Sequence, residues 1–116
     1  MKYSNNTTDG ILRLKLIGDL IGEDSGPEII ELASNALRDG IDKCLVDISE
    51  VRYINSSGIG VLITLLTKFR NQSGELILIN PSEHVNKLLI IIKLKNIFNI
   101  AQSDQEALEL INKQNE

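Results

Sequence analysis

The chain has 116 residues, enough for one domain with a real core, and 42% of them are hydrophobic but only 3% aromatic, so aliphatic side chains must fill that core. Twelve basic against sixteen acidic residues give a net charge of −4, which argues against a broad phosphate-binding face and so against a nucleic-acid partner. The single cysteine, Cys44, excludes an internal disulfide and, within an apolar run, reads as a buried thiol.

The opening residues 1–6 lead into polar sequence, so no secretory leader is expected. The longest apolar runs, residues 61–66 and 88–92, are too short to span a bilayer. A cytoplasmic protein with no membrane partner is therefore expected.

Residues 11–17 alternate apolar and charged side chains, the mark of a strand with one buried face. Asp9-Gly10 before them is a turn signal that pairs them with residues 2–8 in a hairpin. Residues 22–26 read as a loop. Ser25 or Asp24 is a candidate cap for the next helix, with Pro27 and Glu28 in its first turn. Ile29, Ile30, Ala33 and Leu37 share one face of that helix, and Gly40 suits its stop.

Residues 43–48 read as a central strand, because Cys44-Leu45-Val46 shows no polar alternation. A short polar turn follows, and then a helix over about residues 57–71 with Ile59, Leu62, Leu66 and Phe69 on one side. Ser73-Gly74 ends it, and residues 75–79 form another strand. Asn80-Pro81-Ser82 breaks that strand and leads into a helix with Val85, Leu88, Leu89 and Ile92 inward; the run Ile90-Ile91-Ile92 reads mainly as core. A short edge strand is expected near residues 97–101. Ser103 and Glu106 have capping-box spacing before a last helix with Ala107, Leu108, Leu110 and Ile111 on its apolar side. Strands alternating with helices predict an α/β sandwich spanning residues 1–116.

Enzyme chemistry fits poorly. Serine hydrolysis needs a base and an oxyanion hole, yet the only histidine, His84, opens a different helix and no G-x-S-x-G elbow is present. One His and one distant Cys make no metal site. Ser57-Gly58-Ile59-Gly60 opens a helix but lacks both the P-loop spacing with its lysine and a complete G-x-G-x-x-G. Asp47 follows a strand as a phosphoaspartate would, but the acidic pair and lysine of a receiver domain are missing, so it reads as a residue bonding nearby backbone N–H groups. No cofactor and no metal are expected.

What remains is the strand-to-helix junction. It puts Ser56 and Ser57 at a helix N-terminus, where free N–H groups and the helix dipole favour negative charge. A serine there can cap the helix, help bind an anion, or carry a phosphate.

The stretch Asp47-Ile48-Ser49-x-Val51-x-x-Ile54-Asn55-Ser56-Ser57-Gly58-Ile59-Gly60-Val61-Leu62 resembles the signature of STAS domains, specifically bacterial anti-sigma factor antagonists. The likeness continues in Ile17-Gly18-Asp19-Leu20, in Gly74-Glu75-Leu76, in Val85, Leu88, Leu94 and Phe98, and in Ser103-x-x-Glu106-Ala107-Leu108. It implies a single STAS-type α/β domain: a mixed, mostly parallel sheet with an N-terminal hairpin and about four helices.

By that resemblance the protein is no enzyme. It implies that Ser56 is the phosphorylated residue and that the unmodified protein binds a serine kinase that is also an anti-sigma factor, freeing the sigma factor. Phosphorylation ends that grip and a phosphatase restores it. Asn55, Ser57, Gly58, Ile59 and Gly60 are the implied partner-binding residues. Asn55 stands where the family usually has Asp, keeping a capping acceptor without its charge. The alternative is a STAS scaffold without a serine switch, in a stressosome-like or lipid-transport assembly, and a small-ligand sensor is a third reading.

Overall fold

The computed structural model describes residues 2–113, leaving aside the side chains of 22–24 and 113. Strands β1 (Lys2–Thr8) and β2 (Ile11–Leu20) form the expected antiparallel hairpin. Asp9 and Gly10 turn it at φ 55° and 76°, the two positive values that a tight two-residue hairpin turn requires and Gly supplies without strain. Strands β3 (Lys43–Ile54), β4 (Glu75–Ile79) and β5 (Asn99–Ala101) then join in parallel, giving the order β1-β2-β3-β4-β5. β3 is central and β5 is an edge strand, as the sequence predicts.

Helices α1 (Gly22–Arg38), α2 (Ser56–Asn71) and α3 (Glu83–Ile91) go with the main core, where Leu12, Leu14, Leu16, Cys44, Val46 and Ile48 meet Ile29, Leu62, Leu65 and Phe69. Helix α4 (Asp104–Lys113) covers a second cluster, Ile11, Leu45, Ile77 and Ile79 with Ala107 and Ile111. Leu45 belongs to that second cluster while Cys44 and Val46 belong to the main core. This is why that segment shows no polar alternation: both faces of the strand are covered. Ser103 caps α4, its Oγ accepting the Glu106 N–H at 3.1 Å.

Some expectations fail for physical reasons. Residues 22–26 are not a loop: α1 starts at Gly22 after Ile21, so Ser25 lies inside the helix and is not its cap, while the side chain of Asp24, the other candidate, lies outside those described. Pro27 lies inside the helix, and Gly26 packs so tightly on α2 that a Cβ there would fall 2.8 Å from Val61 Cγ2. Tertiary packing outweighs the local signals here. For the same reason Val61 is buried.

Nor does β3 stop at Ile48. It runs to Ile54 because β2, extended to Leu20, supplies partners as far as Leu20↔Ile54, across register shifts near Lys15/Ile17 and Gly18/Asp19. Val51 and Ile54 are both buried on this extension. The supposed polar turn is an irregular strand segment in which Asp47 Oδ1 accepts the Ser49 N–H at 2.9 Å and the Ser49 hydroxyl at 2.7 Å. Lastly, Ile90, Ile91 and Ile92 are exposed, because α3 ends at Ile91 and only Val85 and Leu89 of the helix are buried. A 3-10 turn (Leu94–Asn96) then precedes β5, which is shorter than expected.

Candidate functional site

β3 passes into α2 through one residue. Asn55 is extended at φ −100° and ψ 179°, and Ser56 is already the first helical residue. The Asn55 side chain is the N-cap, its Oδ1 accepting the Gly58 N–H at 2.8 Å. The same oxygen accepts the Ser57 hydroxyl at 2.9 Å, while the Asn55 carbonyl takes the Ile59 N–H at 3.0 Å. The capping role that sequence leaves open among Asn55, Ser56 and Ser57 therefore goes to Asn55. Ser57 is half-buried and tied to the cap. Ser56 is exposed, and its hydroxyl takes no part in the bonds that hold Asn55, Ser57 and Gly58 together.

The base of the site is Leu20, a residue that the sequence does not single out as functional. Its carbonyl accepts the Asn55 N–H at 3.3 Å. Gly58 lies directly beneath it, so that an added Cβ would sit 2.2 Å from that oxygen. Gly58 is thus buried, and the structure explains it by close approach of helix to strand. Gly60 is half-buried with open space beside it, and Ile59 is half-buried against the core. A second anchor also missed in the sequence is Ser82, the N-cap of α3, whose hydroxyl donates to the Val51 carbonyl at 2.7 Å. Its signal was the break Asn80-Pro81-Ser82, which reads as a helix start but says nothing of a bond to β3.

The first turn of α2 holds no acidic residue, and its last turn holds Lys68 and Arg70. Charge within α2 is therefore arranged with the helix dipole at the C-terminus, and its own first turn places no acidic side chain beside Ser56. The rest of the chain adds little chemistry. Among the described residues no three His, Cys, Asp or Glu side chains group to hold a metal ion. Cys44 is fully buried, and that burial pushes its thiol up from the ordinary value, away from the reactive thiolate. His84 is exposed on the first turn of α3. A shallow cleft of about 720 Å³ is lined by Ile17, Gly18, Asp19, Ile21, Glu50, Arg52 and Lys2, and includes no residue of α2.

A family model described as STAS domain matches residues 2–107. The chain is 34% identical over 73 residues to a Thermotoga neapolitana protein provisionally named an anti-sigma factor antagonist; the match covers 63% of this chain and 65% of that protein, a little under two thirds of the relative's length. It is 23% identical over 105 residues to the anti-sigma-B factor antagonist of Staphylococcus aureus, covering 90% of this chain and 96% of that one. Among solved structures, the Bacillus cell fate determinant SpoIIAA in its phosphorylated form superposes with a TM-score of 0.75 at 20% identity, over 95% of this chain and 99% of the other. That likeness shows a shared fold.

Proposed function

This chain belongs to the STAS domain family, and from that premise we propose that it is an anti-sigma factor antagonist whose grip on a serine kinase, itself an anti-sigma factor, is set by phosphorylation of Ser56. The observation that carries the reading is the division of roles at the start of α2. Asn55 caps the helix and Ser57 is bonded to that cap, while Ser56 presents an exposed hydroxyl at the first helical position.

Phosphorylation there adds about −1.5 to −2 charges. They fall at the positive end of the α2 dipole, in a first turn with no acidic residue to repel them. The fold should tolerate the group. A partner closing over Ser56 should not: burying the phosphate without an arginine to meet it costs several kcal/mol, and about 1.4 kcal/mol is a factor of ten in Kd. Partner exchange then follows from a local charge change, with a phosphatase as the reset.

The test is intact mass and phosphosite mapping of the protein isolated from its own cells, with and without phosphatase treatment. The expected result is one phosphate on Ser56 that phosphatase removes and that Ser56→Ala lacks. No phosphate under any growth or stress condition overturns the switch and favours a non-switching scaffold. A phosphate on Ser57 overturns the assignment of the site.

A further inference from the structure

Charge is segregated along the chain. Residues 84–103 hold Lys87, Lys93 and Lys95 and no Asp or Glu, while the rest of the chain holds nine basic and sixteen acidic residues. Four isoleucines of the same segment face water: Ile90 is 51% exposed, Ile91 73%, Ile92 38% and Ile97 44%. They belong to the end of α3 and to the 3-10 turn after it. Such a concentration of large exposed apolar side chains marks an interaction surface.

The chemistry of the patch narrows what it meets. Part of its backbone is already engaged: the N–H groups of Ile92, Lys93 and Ile97 donate to the carbonyls of Leu88, Ile90 and Leu94 at 3.0, 3.1 and 2.9 Å. Glu83 pairs with Lys87 at 3.3 Å, and Arg70 donates to the Ile97 carbonyl at 2.9 Å while also pairing with Glu75. Lys93 and Lys95 form no ion pair among the described residues. What is presented is mainly aliphatic tips bordered by ammonium groups, with the exposed Asn96 amide among them and no exposed aromatic anchor of the kind that dominates protein interfaces. A second copy meeting the patch through its own would set lysines against lysines.

We propose that this surface docks peripherally on an anionic lipid bilayer, with Ile90, Ile91 and Ile97 entering the headgroup region and Lys93 and Lys95 lying against lipid phosphates. No helix of the described residues is long and apolar enough to cross a membrane, so the contact is made from one side. The expectation of no membrane partner rests on the shortness of the apolar runs, which bears on spanning and not on surface contact. The proposal does not depend on Ser56.

The test is co-sedimentation of the full chain with vesicles of phosphatidylcholine alone and with phosphatidylglycerol added. The expected result is partition only into the anionic vesicles, weakened by high salt and lost in Ile91→Ser. Lys93→Gln combined with Lys95→Gln should lower the partition coefficient about thirtyfold. Thermal melts of each variant separate a lost surface from a lost fold, and Ile91 is exposed enough to be replaced without unfolding. The proposal is overturned by no partition into anionic vesicles, by equal partition into both kinds, or by binding indifferent to Ile91→Ser. It is also overturned if Ile91→Ser abolishes a dimer or a complex with an acidic protein while vesicles are not bound.

Discussion

Gly58→Ala and Gly60→Ala add the same methyl group to α2 two residues apart, and they should move stability in opposite directions. At Gly58 the new Cβ falls 2.2 Å from the Leu20 carbonyl oxygen and 3.0 Å from Ile54 Cγ1. Carbon–oxygen contacts are comfortable only from about 3.3 Å, so something must move by about 1 Å. What must move is backbone: Leu20 is paired with Ile54 at the end of β2 and accepts the Asn55 N–H. Overpacking typically costs about 1–3 kcal/mol, against which alanine recovers up to about 1 kcal/mol of helix propensity. A rigid backbone wall puts the clash at the upper end, for a net loss of about 2 kcal/mol. At Gly60 nothing lies within 4 Å of the added atom, so only the propensity gain of about 0.5–1 kcal/mol is left. In a chain of this length 1 kcal/mol moves Tm by about 4 °C, which predicts a fall of about 8 °C for Gly58→Ala and a rise of about 2–4 °C for Gly60→Ala. Urea unfolding with unchanged m-values is the second assay. Midpoints that shift together, or a Gly58→Ala loss under about 0.5 kcal/mol, would refute the packing of α2 on Leu20.

Asn55→Ala should cost about 1 kcal/mol by removing the cap, whereas Ser56→Ala should stay within about 0.5 kcal/mol; chemical denaturation that finds the two equal would mean the cap is misassigned. Lys93 follows α3 at φ 62°, a left-handed position that suits glycine, so Lys93→Gly should gain about 0.5–1 kcal/mol in the same assay. Burial holds the Cys44 thiol above its ordinary value of 9.0, so the folded chain keeps a proton that the unfolded chain sheds. That contribution is full below pH 9.0 and falls above it, by about 1.4 kcal/mol per pH unit. Cys44→Ala should lack this slope in alkaline unfolding curves, and iodoacetamide should label Cys44 only in the unfolded chain.

Most of the fold was legible because hydrophobic period and turn chemistry agree along the chain. The alternation in residues 11–17, the Asp9-Gly10 turn and the unbroken Cys44-Leu45-Val46 run each point to one structure, and each is found. The failures come where a distant partner overrides a local signal. Residues 22–26 look like a loop until Val61 packs on Gly26. Residues 49–54 look like a turn until the end of β2 pairs with them. The run 90–92 looks like core because three isoleucines usually are, and only the end of α3 at Ile91 decides otherwise. At the site itself the residue types were readable, but not which of three neighbours is the cap. That depends on the Asn55 rotamer and on one oxygen shared by Gly58 and Ser57.

The overrun of β3 matters for how Ser56 is held. β4 pairs with β3 only from Lys43 to Asp47, so the strand's last seven residues have β2 on one side and no strand on the other. The unpaired side is tied instead by Ser82, whose hydroxyl reaches the Val51 carbonyl from the start of α3. Leu20 holds Asn55 from the opposite side, and the buried Ile54 fixes the end of the strand from below. Three separate elements thus set the position of the first turn of α2 through contacts that do not use the Ser56 hydroxyl. A group added to that hydroxyl meets a packed, low-compliance surface and, among the described residues, has no internal bond to break. Its effect should be spent on whatever binds from outside, which is the property a reversible interaction switch requires.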